Sequence, residues 1–165
     1  MARRSIKPIK LHAMYRTKTL LGIAIALLIG TCINAQDIYL DASTDGSTVY
    51  TNGASFYDSG RIEARYSNFE DFTTTICSNS GASMLVEFFD FYLEEKQDKL
   101  YIFFGEGLEK TPVPGSPFTG DDLKEQIIDC SESCMTFRMV TDFNVVRSGW
   151  NAEISVMDPI VNIKD

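Results

Sequence analysis

Histidine is almost absent from this chain of 165 residues, since the only one is His12. His12 lies in the basic N-terminal segment that we expect to be removed, so the mature chain would contain no imidazole. Ser-His-Asp and Cys-His mechanisms need an imidazole as general base, and the sequence has no Cys-x-x-Cys pair of the kind that holds zinc. We therefore predict that the protein is not an enzyme. The enzyme class that these residue types leave open works with carboxylates alone, such as a glycosidase pair.

Long apolar runs are also missing. A membrane-spanning helix needs about 20 apolar residues, whereas the run at residues 20–30 has only eleven. It follows six basic residues and is followed by the small residue Ala35, which is the pattern of a secretory signal peptide cleaved after that alanine. We predict a signal peptide over residues 1–35 and a single domain over residues 36–165. The mature chain would be secreted or at the cell surface, with no transmembrane segment.

Basic residues are scarce once the leader is set aside. Six of the 15 Lys and Arg residues and none of the 23 Asp and Glu residues lie in residues 1–35, so nine basic side chains remain and the formal charge is −14. Proteins bind nucleic acids by neutralising phosphates with Lys and Arg. We therefore predict no nucleic-acid partner, because an acidic surface favours cations or basic patches on other proteins.

Cysteine occurs in an odd number after removal of the leader. Loss of Cys32 leaves Cys77, Cys130 and Cys134, so one thiol should stay unpaired. Two cysteines can be bridged when their Cα atoms lie within about 7 Å, which is easy for Cys130 and Cys134 if residues 131–133 turn. We favour that bridge, with Cys77 as the free thiol. Pairing of Cys77 with Cys134 is the alternative that the sequence leaves open.

Short strands separated by turn residues account for most of the mature chain, and helical periodicity is nowhere sustained. Residues 134–140 and 150–157 alternate apolar and polar side chains, as half-buried strands do. Many short strands with Gly and Asn turns predict an all-β sandwich of two sheets. The predicted strands are residues 48–51, 55–58, 73–77, 83–93, 99–104, 125–129, 134–140 and 150–157.

A charged break separates two apolar runs in the middle of the chain. Residues 85–93 and 100–104 flank the polar residues Glu94, Glu95, Lys96, Gln97 and Asp98. This pattern predicts an antiparallel hairpin. Its tip is either a solvated turn or one part of a cation site, and another acidic element is needed to decide between them.

Five motifs follow one another in a fixed order along the chain. They are Phe88-x-x-Phe91-x-x-Glu94, Asp98-x-Leu100-x-Ile102, Cys134-x-Thr136-Phe137, Thr141-Asp142-Phe143 and Gly149-Trp150-x-Ala152. Their succession resembles the CUB domain family, over about residues 49–156. Residues 56–60 and 74–77 are similar to the form found in bacterial extracellular proteins.

The resemblance implies a CUB jelly-roll sandwich and, for the calcium-binding subtype, a Ca²⁺ site. Its ligands would be Glu94, Asp98 and Asp142, with a backbone oxygen near Asn144. Ca²⁺ takes about 6 to 8 oxygen ligands, and three carboxylates supply much of that shell. In the family the same carboxylates accept a basic side chain of a partner. The resemblance thus implies adhesion or recognition of an extracellular protein with a basic patch.

Two features of the chain depart from this expectation. The first cysteine that many CUB domains bridge to the position of Cys77 is missing, since the matching region reads Thr51-Asn52-Gly53, and Cys130 has no place in the family pattern. The alternative function is a carbohydrate-binding or glycan-active protein, with acidic residues beside aromatic strands. A glycosidase would need two carboxyl groups about 5 to 10 Å apart in an open cleft.

Overall fold

The computed structural model describes residues 36–157, and every structural statement below concerns those residues. The signal peptide predicted over residues 1–35 lies outside them. Residues 36–157 contain no helix that is long and apolar enough to cross a membrane. The strands are β1 (Gln36–Leu40), β2 (Ser47–Thr51), β3 (Gly53–Asp58), β4 (Asp71–Ser78), β5 (Ser83–Tyr92), β6 (Lys99–Phe104), β7 (Gln126–Cys130), β8 (Cys134–Val140) and β9 (Gly149–Met157).

The strands form two sheets, with the orders β1-β3-β9-β5-β7 and β2-β4-β8-β6. Most neighbours are antiparallel, while β1 pairs with β3 and β2 with β4 in parallel. The predicted all-β sandwich of two sheets is confirmed, and each predicted strand has a counterpart. Strand β1 was not predicted, because its apolar residues Ile38, Tyr39 and Leu40 are consecutive and show no alternation.

The core lies between the two sheets. Met135, Phe137 and Met139 of β8 are fully buried, as expected when alternate residues of a strand face one side. The ring centroid of Phe137 lies 4.7 Å from that of Phe56 in the opposite sheet, and Trp150 packs 5.5 Å from Phe56. Burying a side chain of this size contributes about 1.5–3 kcal/mol. The contact between Phe56 and Phe137 helps to hold the two sheets together, whereas Trp150 and Phe56 pack within one sheet.

The predicted hairpin between β5 and β6 is wrong. Strand β5 lies in the five-stranded sheet between β9 and β7, whereas β6 is an edge strand of the four-stranded sheet beside β8. The outer edge of β6 is instead occupied by Phe118 and Pro112, which form isolated bridges to Leu100 and Phe103. Two apolar segments around a polar break fit a hairpin and a connection between sheets equally well. Residues 93–98 are therefore a crossover between the two layers.

The favoured disulfide was also wrong. Cys77 is bonded to Cys134, and the buried Cys130 is the free thiol. Cys77 and Cys134 are directly opposed in the antiparallel pair of β4 and β8, with Cα atoms 4.1 Å apart. Cys130 ends β7 in the other sheet. Residues 131–133 do turn, but they carry the chain from one sheet to the other, and Cys130 Sγ lies 3.7 Å from the carbonyl oxygen of Cys134.

Three connections between the sheets meet at the same end of the sandwich. They are residues 59–70 between β3 and β4, residues 93–98 between β5 and β6, and residues 141–148 between β8 and β9. Hydrogen bonds from Tyr66 and from the Asp142 backbone to the Asp98 carboxylate join all three. The polar residues of three loops are thus brought to one place by the order of the strands.

Candidate metal centre

Glu94, Asp98 and Asp142 converge where the three connections meet. One carboxylate oxygen from each lies within 4.8 Å of the others. Glu94 and Asp98 stand at the two ends of the crossover after β5, and Asp142 follows β8 by two residues. Together these positions form the acidic cluster, and the three residues were the carboxylates predicted from the sequence.

Asp98 is the most buried member of the acidic cluster, with 1% of its surface exposed. Its Oδ1 accepts a hydrogen bond of 2.9 Å from the backbone N–H of Asp142, and its Oδ2 accepts one of 2.5 Å from the Tyr66 hydroxyl. A buried carboxylate is tolerated only when its oxygens are hydrogen-bonded or paired. Asp98 therefore fixes the relative positions of the three loops.

Tyr66 links two members of the acidic cluster through its hydroxyl group. Its hydroxyl donates to Asp98 and accepts a 3.0 Å hydrogen bond from the backbone N–H of Glu94. Burial, and then the hydrogen bond to Asp98, raise the pKa of the Tyr66 hydroxyl. The hydroxyl consequently stays protonated and continues to donate to Asp98.

One oxygen of the Glu94 carboxylate lacks a hydrogen-bond donor. Its Oε2 is buried and has no hydrogen-bond partner, and none of the ion pairs formed within residues 36–157 involves the acidic cluster. Three carboxylates at this distance repel one another, and a buried acceptor without a donor costs about 1–3 kcal/mol. A hard cation that takes oxygen ligands, such as Ca²⁺, meets both requirements. The residues present therefore fit a calcium ion.

Asp142 lies in a loop that is tied to the first connection. Its Oδ1 accepts a 2.8 Å hydrogen bond from the backbone N–H of Asn144, and its carbonyl oxygen accepts one of 2.8 Å from Phe69 N–H. The carbonyl oxygen of Asn144, the predicted fourth ligand, accepts a 3.0 Å hydrogen bond from Asn68 Nδ2. A carbonyl oxygen has a second lone pair, so a role for Asn144 as a ligand stays a prediction.

Two further buried carboxylates stand at the two ends of the first connection, and the sequence did not point to them. Asp58 is fully buried and accepts hydrogen bonds from the backbone N–H groups of Trp150 and Gly60, at 2.7 and 2.8 Å. Burial, together with the nearby charge of Glu70, raises the pKa of Asp58 to about 6. Gly149 has a φ of 73°, and a Cβ there would collide with the Asp58 carboxylate. Asp58 thus joins the end of β3 to the start of β9.

Glu70 is 7% exposed and connects the first and third loops. Its Oε1 accepts hydrogen bonds from the Ser59 hydroxyl and the Ser67 backbone, at 2.6 and 3.0 Å, while its own N–H donates to Thr141 Oγ1. Burial raises the pKa of Glu70. The hydrogen bond to Thr141 ties the first loop to the third, and Glu70 Oε2, like Glu94 Oε2, is buried without a hydrogen-bond partner.

The arrangement argues against the glycan-active alternative. One oxygen of each carboxylate in the acidic cluster lies within 4.8 Å of the others, so the groups converge on one point, whereas the two carboxyl groups of a glycosidase flank the substrate from either side. Of the aromatic residues in β5, Phe88 and Phe91 are in the core, whereas Phe89 and Tyr92 are exposed. The acidic cluster presents one oxygen from each of three carboxylates toward a common point.

No protein-family model matches the sequence. No curated protein matches it either. Among solved structures, the CUB1-EGF-CUB2 domain of human MASP-1/3 matches with a TM-score of 0.58 and 15% identity. This match covers 72% of this chain and 46% of that one. The MASP-1 CUB2 domain bound to Ca²⁺ has a TM-score of 0.57 and 17% identity, covering 68% of this chain and 99% of that one.

The full extracellular region of zebrafish Gpr126/Adgrg6 also matches, with a TM-score of 0.57, 18% identity and coverage of 68% of this chain. The match spans 14% of that much longer protein. At these identities the likeness concerns the fold. The chain has a CUB-like fold, as its motifs implied.

Proposed function

We propose that the protein is a secreted, calcium-binding, CUB-like interaction module. Glu94, Asp98 and Asp142 would hold Ca²⁺, and the ion would fix the three loops as one edge. The observation that carries the proposal is the buried, unpartnered Oε2 of Glu94 within a cluster of three carboxylates. The Ca²⁺-bound MASP-1 CUB2 domain, which has the same fold, supports the choice of ion.

Charge defines the class of partner. Three carboxylates and one Ca²⁺ leave a net charge of about −1 at the edge, and the acidic surface of residues 36–165 adds to it. Such a site attracts a basic side chain by direct hydrogen bonds and by long-range field. We propose that the partner is an extracellular protein that inserts a lysine or arginine. Secretion rests on the predicted signal peptide, and the zebrafish neighbour is an extracellular region.

Capture of extracellular proteins on the immobilised chain tests this function. Proteins retained in Ca²⁺ should elute with a calcium chelator, and chemical acetylation of their lysines should prevent retention. Asp142→Asn should retain none of them, whereas Asp129→Asn, which removes an exposed carboxylate from β7, should behave as the unaltered chain does. Retention that persists in chelator would contradict the proposal, and elution by a free sugar would favour the glycan alternative.

A further inference from the structure

We propose that Phe69 and Phe143 form an apolar contact site beside the metal centre, and that the recognised partner segment therefore carries an apolar side chain next to its basic residue. The inference rests on the proposed function and specifies its partner. The side chains of Phe69 and Phe143 have no atom that could bind a metal ion, so the inference is separate from the assignment of the metal ligands.

The two phenylalanines are unusually exposed. Phe69 is 80% exposed and Phe143 is 69% exposed, although Phe is a residue that proteins bury. Their rings stack on one another, with centroids 6.5 Å apart and planes 25° apart. Neither side chain belongs to the core, so the pair is a solvent-facing apolar surface of two rings, which we call the aromatic pair.

The backbone fixes the aromatic pair to the metal centre. Phe143 follows Asp142 directly, and the N–H of Phe69 donates to the carbonyl oxygen of Asp142 at 2.8 Å. Phe69 has a φ of 63°, a left-handed conformation that is costly for a bulky side chain. A residue such as Asn would adopt it at lower cost, so folding alone does not explain phenylalanine at this position. Residues in such strained conformations cluster at functional sites.

The negative charge of the chain favours a protein partner over a membrane surface. An exposed aromatic pair beside a calcium site could also enter a lipid surface, but residues 36–165 carry a formal charge of −14, which opposes approach to anionic lipids. A lysine suits this edge better, because its ammonium group can reach the carboxylates while its methylene stem lies against an aromatic ring. An adjacent apolar side chain on the partner would cover the second ring.

Two synthetic decapeptides of identical composition test the inference against the purified chain by NMR titration in Ca²⁺. In one, a single lysine is flanked by leucines; in the other, the leucines are moved to the peptide ends. The first should bind at least about fivefold more tightly, and acetylation of its lysine should abolish binding. Phe69→Asn and Phe143→Ser should each remove the preference for the first peptide, while Tyr50→Ser, at an exposed aromatic of β2, should leave it unchanged.

Stability measurements separate recognition from folding. Phe69→Asn should leave the melting temperature unchanged or raise it, and should leave its response to Ca²⁺ intact. Equal binding of both peptides would overturn the inference and leave the lysine-binding function standing, whereas no binding of either would overturn both. Calcium-dependent binding to phosphatidylserine vesicles that Phe69→Asn removes would also overturn it, since the aromatic pair would then serve a membrane.

Discussion

At the scale of single residues, Glu94 and Asp98 carry the same charge in very different surroundings. Both oxygens of Asp98 accept hydrogen bonds from the protein, whereas Glu94 Oε2 is buried with no partner. Removing Asp98 therefore strands donors, while neutralising Glu94 only relieves repulsion in the metal-free protein. Asp98 is thus held by the protein's own hydrogen bonds, whereas Glu94 keeps one oxygen without a donor.

Neutralising Glu94 should abolish the stabilisation by Ca²⁺ without lowering the stability of the metal-free protein. In chelator, Glu94→Gln should unfold at the same or a higher temperature than the unaltered chain, but Ca²⁺ should no longer raise that temperature. Asp98→Ala should lower the free energy of unfolding in chelator by about 1–3 kcal/mol, because the Tyr66 hydroxyl and the Asp142 N–H lose their acceptor. Thermal unfolding by circular dichroism gives both values, and a large loss of metal-free stability in Glu94→Gln would refute this division of roles.

The buried Asp58 should make stability depend on pH. Its pKa is raised from 3.8 to about 6 by burial, so between these values the folded protein holds a proton that the unfolded chain releases. The corresponding stabilisation is present below pH 3.8 and is lost as the pH rises through about 6. In chelator, the free energy of unfolding should fall from about pH 4 to about pH 6.5 by up to about 3 kcal/mol more than in Asp58→Asn. Parallel curves for the two proteins would exclude Asp58 as the titrating group, and Asp129→Asn should follow the unaltered chain.

At the scale of elements, the β4–β8 pair determines the disulfide. Antiparallel pairing sets Cys77 opposite Cys134, two residues along from the Thr75–Thr136 pair, whose hydroxyl groups are hydrogen-bonded at 2.9 Å. Turn length in the sequence suggested Cys130 instead, because nothing in residues 131–133 reveals that they pass from one sheet to the other. Which strands are neighbours depends on contacts between residues far apart in the chain, such as those of β4 with β8, and a local pattern does not encode them.

Removing this disulfide should be costly, and removing Cys130 should leave the bridge intact. The bridge closes a loop of 57 residues, for which chain entropy gives about 4 kcal/mol. The double variant Cys77→Ala with Cys134→Ala should lose a stability of that order, whereas peptide mapping of Cys130→Ala should still find Cys77 bonded to Cys134. A Cys130–Cys134 peptide in the unaltered chain would contradict the assignment.

At the scale of the whole molecule, the sequence predicted the class of fold and the proximity of Glu94, Asp98 and Asp142 better than it predicted which strands pair and which cysteines are bonded. Alternation in β8 and β9 marks strands whatever their partners, so the sandwich followed from it. Whether β5 and β6 pair or belong to different sheets depends on contacts far apart in the chain. Tyr66, Asp58 and Glu70 were missed for the same reason: each lies in or next to an irregular loop, and its role comes from residues of other elements.

The most direct measurement of the central claim is the melting temperature of the chain in chelator and after addition of excess Ca²⁺. A ligand at 100 times its dissociation constant stabilises the folded state by about 2.7 kcal/mol. The unaltered chain should therefore melt several degrees higher in Ca²⁺, Asp142→Asn should show no rise, and Asp129→Asn should show the full rise. Identical melting curves for the unaltered chain with and without Ca²⁺ would contradict a calcium-ordered edge.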